Sequence, residues 1–461
     1  MNASDLQSNS QPDAHLTEQV LGLLRVSPSL TSQTLQNVTR KSQASISLTL
    51  GQLGDQVCKL GAARSTRYAL ARPILGLPAT QPLVLTQPHG DIEHFGCLTQ
   101  LQNSQIHIRS AKGQEWLSQP AQLPWFLQTL RPQGFLGRQY TRLRPDFPAD
   151  PDTWTAEQVL YLAVNHINEP PGAFQVGEVM GRIIPEAPFN LEARALHYES
   201  LVQNIQTALP AGSSAGGEQP KFVVETGDLA SGGSARYQHL IVKYSPPRGT
   251  SFGERWHDLL RLEHLALQVM GSHGLAVAAS HIVQTATRTY LESSRFDRLG
   301  AEGKRHVVSV GTAHGEFVKT PQLNWANTCE ALVAQKRLSQ ADLARVVTLV
   351  QFGRFIGNTD MHFGNLSFFV DDVAKPYFQL APVYDMLPMK WRPSIHDGAL
   401  SAEPVQAQPS LLGFANEQAV AREMAVAFWE QAAAMSILHP DLREGARRSA
   451  IRVKSHFKQD A

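Results

Sequence analysis

Cysteine is scarce in these 461 residues: Cys58, Cys97 and Cys329 lie far apart and form no CxxC or Cys/His pairing. That spacing excludes a disulfide framework and a structural zinc centre, and it fits a reducing, cytoplasmic setting. Long hydrophobic runs are also missing. No segment reaches the roughly 18 consecutive apolar residues of a membrane span, and the opening MNASDLQSNSQPDAH has no basic stretch followed by an apolar one. No membrane partner is therefore expected. Charge of one sign is lacking too: 41 Lys and Arg stand against 40 Asp and Glu, so any contact with nucleic acid has to be a local patch. With 42% hydrophobic residues, the chain has apolar material for about three domains.

The basic patch is at the front. Residues 1–80 hold seven Lys/Arg and four Asp/Glu, an excess of three positive charges. Leu16–Arg25, Thr31–Thr39 and Ser42–Leu53 have helical spacing, and Val57–Arg72 reads as two strands around a Gly-containing, Arg-rich turn. Three small helices and a basic hairpin predict a winged helix-turn-helix head over residues 1–78. In its third helix Ile46, Leu50 and Leu53 face inward, leaving Gln43, Ser45, Ser47 and Thr49 outward, with Ser42 as N-cap. Gln43, Ser45 and Ser47 are candidates for base contacts, and Lys59, Arg64 and Arg67 for phosphates. A small helical protein-interaction module is the alternative for this head.

Pro73, Pro78 and Pro82 mark a linker, and Leu83–Leu143 has the mixed pattern of a small α+β unit. His89, His94 and His107 are scattered there and carry no metal-ligand spacing. A helix is expected from Thr155. The Gly/Ser-rich AGSSAGGEQPK, with Gly216 and Gly217, then runs into the strand FVV, where backbone N–H groups can meet phosphate oxygens. The next strand, HLIVKYS, has a single lysine, Lys243, suited to nucleotide phosphates, and the helix Arg255–Met270 presents Glu263 to pair with it. Two strands, AVAASHIVQ and RTYLESSRFDR, complete this lobe; a helix is expected over Ala341–Phe355, and the residues after Asp385 read as mostly helical again, notably Asn416–Leu438.

The most informative run is RFIGNTDMHFGNLSFFVDDVAKPYFQLAPVYDMLP, residues 354–388. Asp360 precedes Asn365 by five positions, and Asp385 follows. Phosphoryl transfer needs a carboxylate to orient the attacking hydroxyl, and an Asn and an Asp to hold the metal on the phosphates. Asp360 is thus the candidate base, with Asn365 and Asp385 as Mg²⁺ ligands and ATP as cosubstrate. His362 is read chiefly as a loop scaffold and is kept with Asp360 and Lys243 in the catalytic set. Gly-rich turn, strand Lys, helix Glu, Asp/Asn loop and downstream Asp stand in the order that a kinase requires.

These segments resemble the HipA family of serine/threonine kinase toxins over roughly residues 83–461. The matching pieces are Ser214, Gly217, Gln219 and Lys221 of the Gly-rich loop, RFDR at Arg295–Arg298, GNTDMHFGNLS at Gly357–Ser367 and LAPVYDML at Leu380–Leu387. The extra head is similar to the YjjJ-like branch. The resemblance implies that Gln219 and Lys221 belong to the nucleotide loop, that the backbone at Ser294–Phe296 meets adenine, and that Ser214, or the adjacent Ser213, is autophosphorylated. Nearly two negative charges placed there would oppose ATP. It further implies a protein substrate of translation, an aminoacyl-tRNA synthetase being the class, and an antitoxin partner. The fold class expected is α+β: a two-lobed, protein-kinase-like body behind the winged head, with an N-lobe over 79–294 and a helical C-lobe over 295–461. The function expected is a Mg-ATP-dependent toxin kinase that also binds DNA. The rivals are a DNA-binding transcriptional regulator with a nucleotide-sensing, kinase-like body, and a small-molecule kinase.

Overall fold

Three side-chain caps start the chain's first three helices. Asp13 accepts from the N–H of Leu16 at the start of α1 (Ala14–Val26), Thr31 from Thr34 in α2 (Ser32–Thr39), and Ser42 from Ser45 in α3 (Gln43–Leu53), each satisfying a backbone donor that the helix leaves open. Arg40, left-handed at φ 55°, reverses the chain between α2 and α3. The hairpin β1 (Val57–Leu60) and β2 (Arg67–Leu70) is antiparallel, and Leu30 bridges to Tyr68 beside it. Leu16, Val20, Leu24, Leu35, Ile46, Leu50 and Leu53 form the core of this head. One expectation is corrected: Thr49 is 3% exposed, because it lies three residues after Ile46 and so shares its helical face.

The computed structural model describes residues 13–167, 169–179, 184–208, 219–227, 237–394, 400–405 and 414–455. After the head, β3 (Thr80–Thr86), β4 (Ile92–Gln100), β5 (Ile106–Ser110) and β6 (Glu115–Leu117) form an antiparallel sheet, closed at its far edge by β7 (Phe174–Val176) in the order β6-β5-β4-β3-β7. A bulge falls at Leu83/Val84. Opposite it only Gly96 fits, since a Cβ there would collide with the Arg109 carbonyl. The short α4 (Gly134–Gln139) follows in the chain, and α5 (Ala156–Asn165) packs against β7, starting from a Thr155/Gln158 capping box.

A second five-stranded sheet has the order β11-β12-β10-β9-β8: β8 (Glu186–Pro188), β9 (Lys221–Gly227), β10 (Tyr237–Tyr244), β11 (Ser280–Gln284) and β12 (Thr289–Ser294). Its period of two decides the site. Phe222, Val224, Leu240, Val242 and Tyr244 pack with Tyr198 and Val202 of α6 (Leu191–Ala208), so Lys221, Val223, Ile241 and Lys243 take the opposite face. The 22-residue α7 (Ser251–Ser272) runs between β10 and β11.

The short pair β13 (Arg298–Leu299) and β14 (Gly303–Lys304) leads into β15 (Val307–Ser309), which pairs with β16 (Ser367–Val370), itself paired with β17 (Phe378–Leu380). A four-residue α8 (Val310–Ala313) passes into a π turn, His314–Val318. The helices α9 (Trp325–Ala334), α10 (Gln340–Ile356), α11 (Ala415–Ala434) and α12 (Pro440–Ser455) bury α10 among themselves. The helix expected over 416–438 stops at Ala434, because Met435 turns to extended backbone at φ −70° and ψ 99°, and further on the N–H of His439 donates to Asp258 at 2.9 Å. The core of this lobe is continuous with that under the first sheet, with Trp125 5.2 Å from Phe317 between ring centroids. No helix among the described residues is long and apolar enough to cross a membrane.

Candidate active site

Because Lys243 points away from α6, its ammonium meets α7. Lys243 Nζ donates to both carboxylate oxygens of Glu263, at 2.6 and 2.8 Å, and also to Asp385. Lys243 and Glu263 are 6% and 1% exposed. Burial pushes the Lys243 pKa down, against the pull of the Glu263 charge, which favours the ammonium. Asp385 has φ 54°, a conformation that Asp tolerates better than most residues and that turns the chain sharply at this point.

The loop after α10 brings the other acidic group. Gly357, at φ 73°, ends the helix, and Asn358 then ties the loop to Asp385. Its side-chain oxygen accepts from the Asp360 N–H at 3.0 Å, while its amide donates to the Asp385 carbonyl at 3.4 Å. Asn365 donates through Nδ2 to the Asp360 carbonyl at 2.9 Å, which leaves its Oδ1 for another partner. Asp360 itself is exposed. His362 Nδ1 accepts from the Gly364 N–H at 3.0 Å, and its carbonyl accepts from Trp325 Nε1 at 3.1 Å, so this histidine closes the loop locally. Tyr384 donates to the Gly364 carbonyl at 2.8 Å.

One cavity of about 1680 Å³ is lined by Gln219, Lys221, Lys243, Glu263, Ser294, Phe296, Asp360, His362, Asn365 and Asp385. Those residues come from both lobes. Gln219 Nε2 donates to the Tyr244 carbonyl at 2.6 Å. Ser294 pairs with Leu240 in the sheet, and the Phe296 ring sits 5.6 Å from that of Tyr384. Gly216, Gly217, Ser213 and Ser214 lie outside the described residues. An oxygen set of the Asp385 carboxylate and Asn365 Oδ1 suits a hard cation such as Mg²⁺.

The chain is 32% identical to Toxin YjjJ of Escherichia coli (strain K12) over 417 residues, covering 88% of this chain and 90% of the relative. The chain belongs to the YjjJ-type, HipA-like toxin family. Two family models agree: residues 77–183 match the YjjJ-like toxin middle domain and residues 213–439 the HipA-like C-terminal domain. Among solved structures, HipA of Shewanella oneidensis MR-1, crystallised with HipB and its operator DNA, superposes with a TM-score of 0.52 at 18% identity, covering 82% of this chain and 97% of that one. The mixed α+β, HipA-like fold of this YjjJ-type chain follows from that likeness.

The RFDR run of this YjjJ-type toxin is a buried ion network. Asp297 accepts from Arg295 Nη2 at 2.9 Å, from Arg298 Nη1 at 2.8 Å and from the Gly172 N–H at 2.8 Å. Glu169 takes Arg298 Nη2 at 2.9 Å and Lys304 at 3.2 Å. Burial would raise the Asp297 pKa, yet the two guanidiniums outweigh it and hold the carboxyl far below its usual range. Sequence reasoning missed Glu169 and Asn358. Only the position of Asn358 two residues before Asp360 gave a signal for it, and nothing local marks Glu169.

In the head, Gln43 and Ser47 are exposed on α3, whereas Ser45 is half-buried and its hydroxyl lies 3.0 Å from that of Ser42. Lys59 and Arg64 are exposed on the hairpin, and Arg67 Nε donates to the Ser29 hydroxyl at 2.8 Å. The hairpin is also seated on the first sheet. Gly61 N–H donates to Glu115 at 2.7 Å, Arg109 donates to the Lys59 carbonyl at 3.1 Å, and Cys58 Sγ is 3.3 Å from His107 Nδ1.

Proposed function

We propose that this chain is a Mg-ATP-dependent serine/threonine protein kinase acting as a growth-inhibiting toxin, with a winged helix-turn-helix head that binds DNA. The observation that carries the reading is the convergence of Lys243, Glu263, Asp360, Asn365 and Asp385 on one cavity between two lobes. In this reading Glu263 holds Lys243 as a cation against the phosphates of ATP, and Asn365 and Asp385 supply the metal ligands. Mg²⁺ would neutralise charge on the phosphoryl oxygens. Asp360 takes the proton of the acceptor hydroxyl as its oxygen bonds to the γ-phosphorus; the bond from that phosphorus to the β–γ bridging oxygen breaks and ADP leaves. Ser294 and Phe296 border the adenine, Gln219 and Lys221 the phosphate loop, and Ser214 or Ser213 receives the self-inhibiting phosphate. The acceptor is a protein, an aminoacyl-tRNA synthetase being the class the family resemblance implies.

Gln43, Ser45, Ser47, Lys59, Arg64 and Arg67 are the proposed DNA contacts. The Shewanella protein was crystallised with HipB and operator DNA, which supports DNA and an antitoxin as partners of this chain. Incubation of the full chain with Mg-ATP, followed by intact and peptide mass spectrometry beside Asp360→Ala, tests the kinase. A phosphate on Ser214 or Ser213 in the wild type alone is the expected result. Equal modification of both proteins, or of neither, overturns it.

A further inference from the structure

The large cavity is lined by five arginines and lysines of its two lobes and of the intervening unit, and four of them are engaged. Lys243 is held by Glu263, Arg295 by Asp297, and Arg131 by the Trp154 carbonyl; Lys221 has a partner as well. The fifth, Arg392, is half-buried, and its guanidinium makes no hydrogen bond or ion pair among the described residues. A guanidinium left unpaired at a concave site is an anchor for a carboxylate, which it can grip with two parallel N–H donors.

Its backbone is fixed beside the Asp360 loop. The turn Met389–Trp391 precedes it directly, the Lys390 N–H donates to the Gly357 carbonyl at 2.9 Å, and Gly357 is three residues before Asp360. Trp391 is fully buried, donating from Nε1 to the Glu403 carbonyl at 2.9 Å and accepting on its own carbonyl from Arg255 at 2.9 Å. Arg392 thus rises from a rigid base beside the Asp360 loop. The remaining unpaired charges on the cavity wall are anionic, Asp360 and Glu316, so Arg392 is its one unengaged cation among the described residues.

We infer that Arg392 selects the acceptor by gripping an acidic side chain next to the phosphorylated Ser or Thr, so that the substrate class is an acidic protein segment. This rests on the kinase reading above. The test uses the full chain, Mg-ATP and a Ser/Thr peptide library with Asp/Glu, Ala or Lys/Arg fixed at each flanking position. The wild type is expected to favour an acidic residue at one position by about tenfold, the scale of one charge-assisted contact. Arg392→Ala should abolish that preference by raising KM for the acidic peptide with KM for ATP unmoved, and Arg392→Glu should turn it toward Lys/Arg. Lys390→Ala, at an exposed neighbour, should keep it. An acidic preference that survives Arg392→Ala, a rise in KM for ATP instead, or a wild type that modifies itself but no library peptide would each overturn the inference. Absence of phosphate on any peptide and on the protein itself would overturn the kinase reading underneath it.

Discussion

Asn358 ties the two acidic halves of the site together, accepting from Asp360 and donating to the stretch at Asp385. A catalytic group displaced by even a fraction of an ångström loses rate steeply, because alignment supplies much of the barrier lowering. In the proposed kinase, Asn358→Ala should therefore lower kcat for phosphate transfer by about tenfold or more. A variant with wild-type kcat would show that the loop holds Asp360 without this side chain. Lys243 illustrates the same scale from the other side: strand alternation alone put it in the cavity, and its role depends on a glutamate 20 residues away on a helix.

Between elements, the decisive joint is the buried network in which Glu169, from the loop after α5, holds Arg298 and Lys304 of the β13–β14 pair. Breaking a buried pair from one side leaves uncompensated charge, which costs about 3 kcal/mol or more. Glu169→Ala should lower stability by that amount in urea unfolding, and Glu169→Gln, which keeps a hydrogen-bond acceptor, by less. Equal stability of Glu169→Ala and wild type would show that the network contributes nothing net. Another joint, the seat of the hairpin on β5 and β6 through Glu115 and Arg109, fixes the proposed DNA-binding head against the body and leaves Arg64 at the exposed tip.

For the molecule as a whole, two buried histidines set an acid limit. His257, with Thr289 Oγ1 2.7 Å from Nδ1, and His306 both have their pKa pushed down to about 4, mainly by burial. Unfolded, each would titrate near 6.5. The unfolded chain therefore binds more protons between about pH 4 and 6.5, so stability rises with pH through that window and is lost as pH falls through it. The thermal midpoint should drop steadily from pH 7 to pH 4.5, and His257→Gln with His306→Gln should flatten the slope. A midpoint unaffected by pH in the parent would refute the assignment.

Much of the candidate site was legible along the chain because its residues stand close together in sequence: Asp360, His362 and Asn365 fall within one turn-sized loop, and Lys243 within one strand. The helices of the head were equally legible, their caps and apolar spacing being short-range signals, and Thr49 was misplaced only because a residue at i+3 was assigned to the wrong face. The sequence by itself determined the residue types and order on which the proposed phosphoryl transfer rests, and the near-neutral charge that confines any DNA contact to a patch. Only the tertiary structure decided that Glu169 and Asn358 matter, that Arg392 stands unpaired on the cavity wall, and that the hairpin is bound to the first sheet. The contacts of Asn358, Glu169 and the hairpin reach partners 27 to 135 residues away, and no local propensity encodes which distant group will find which.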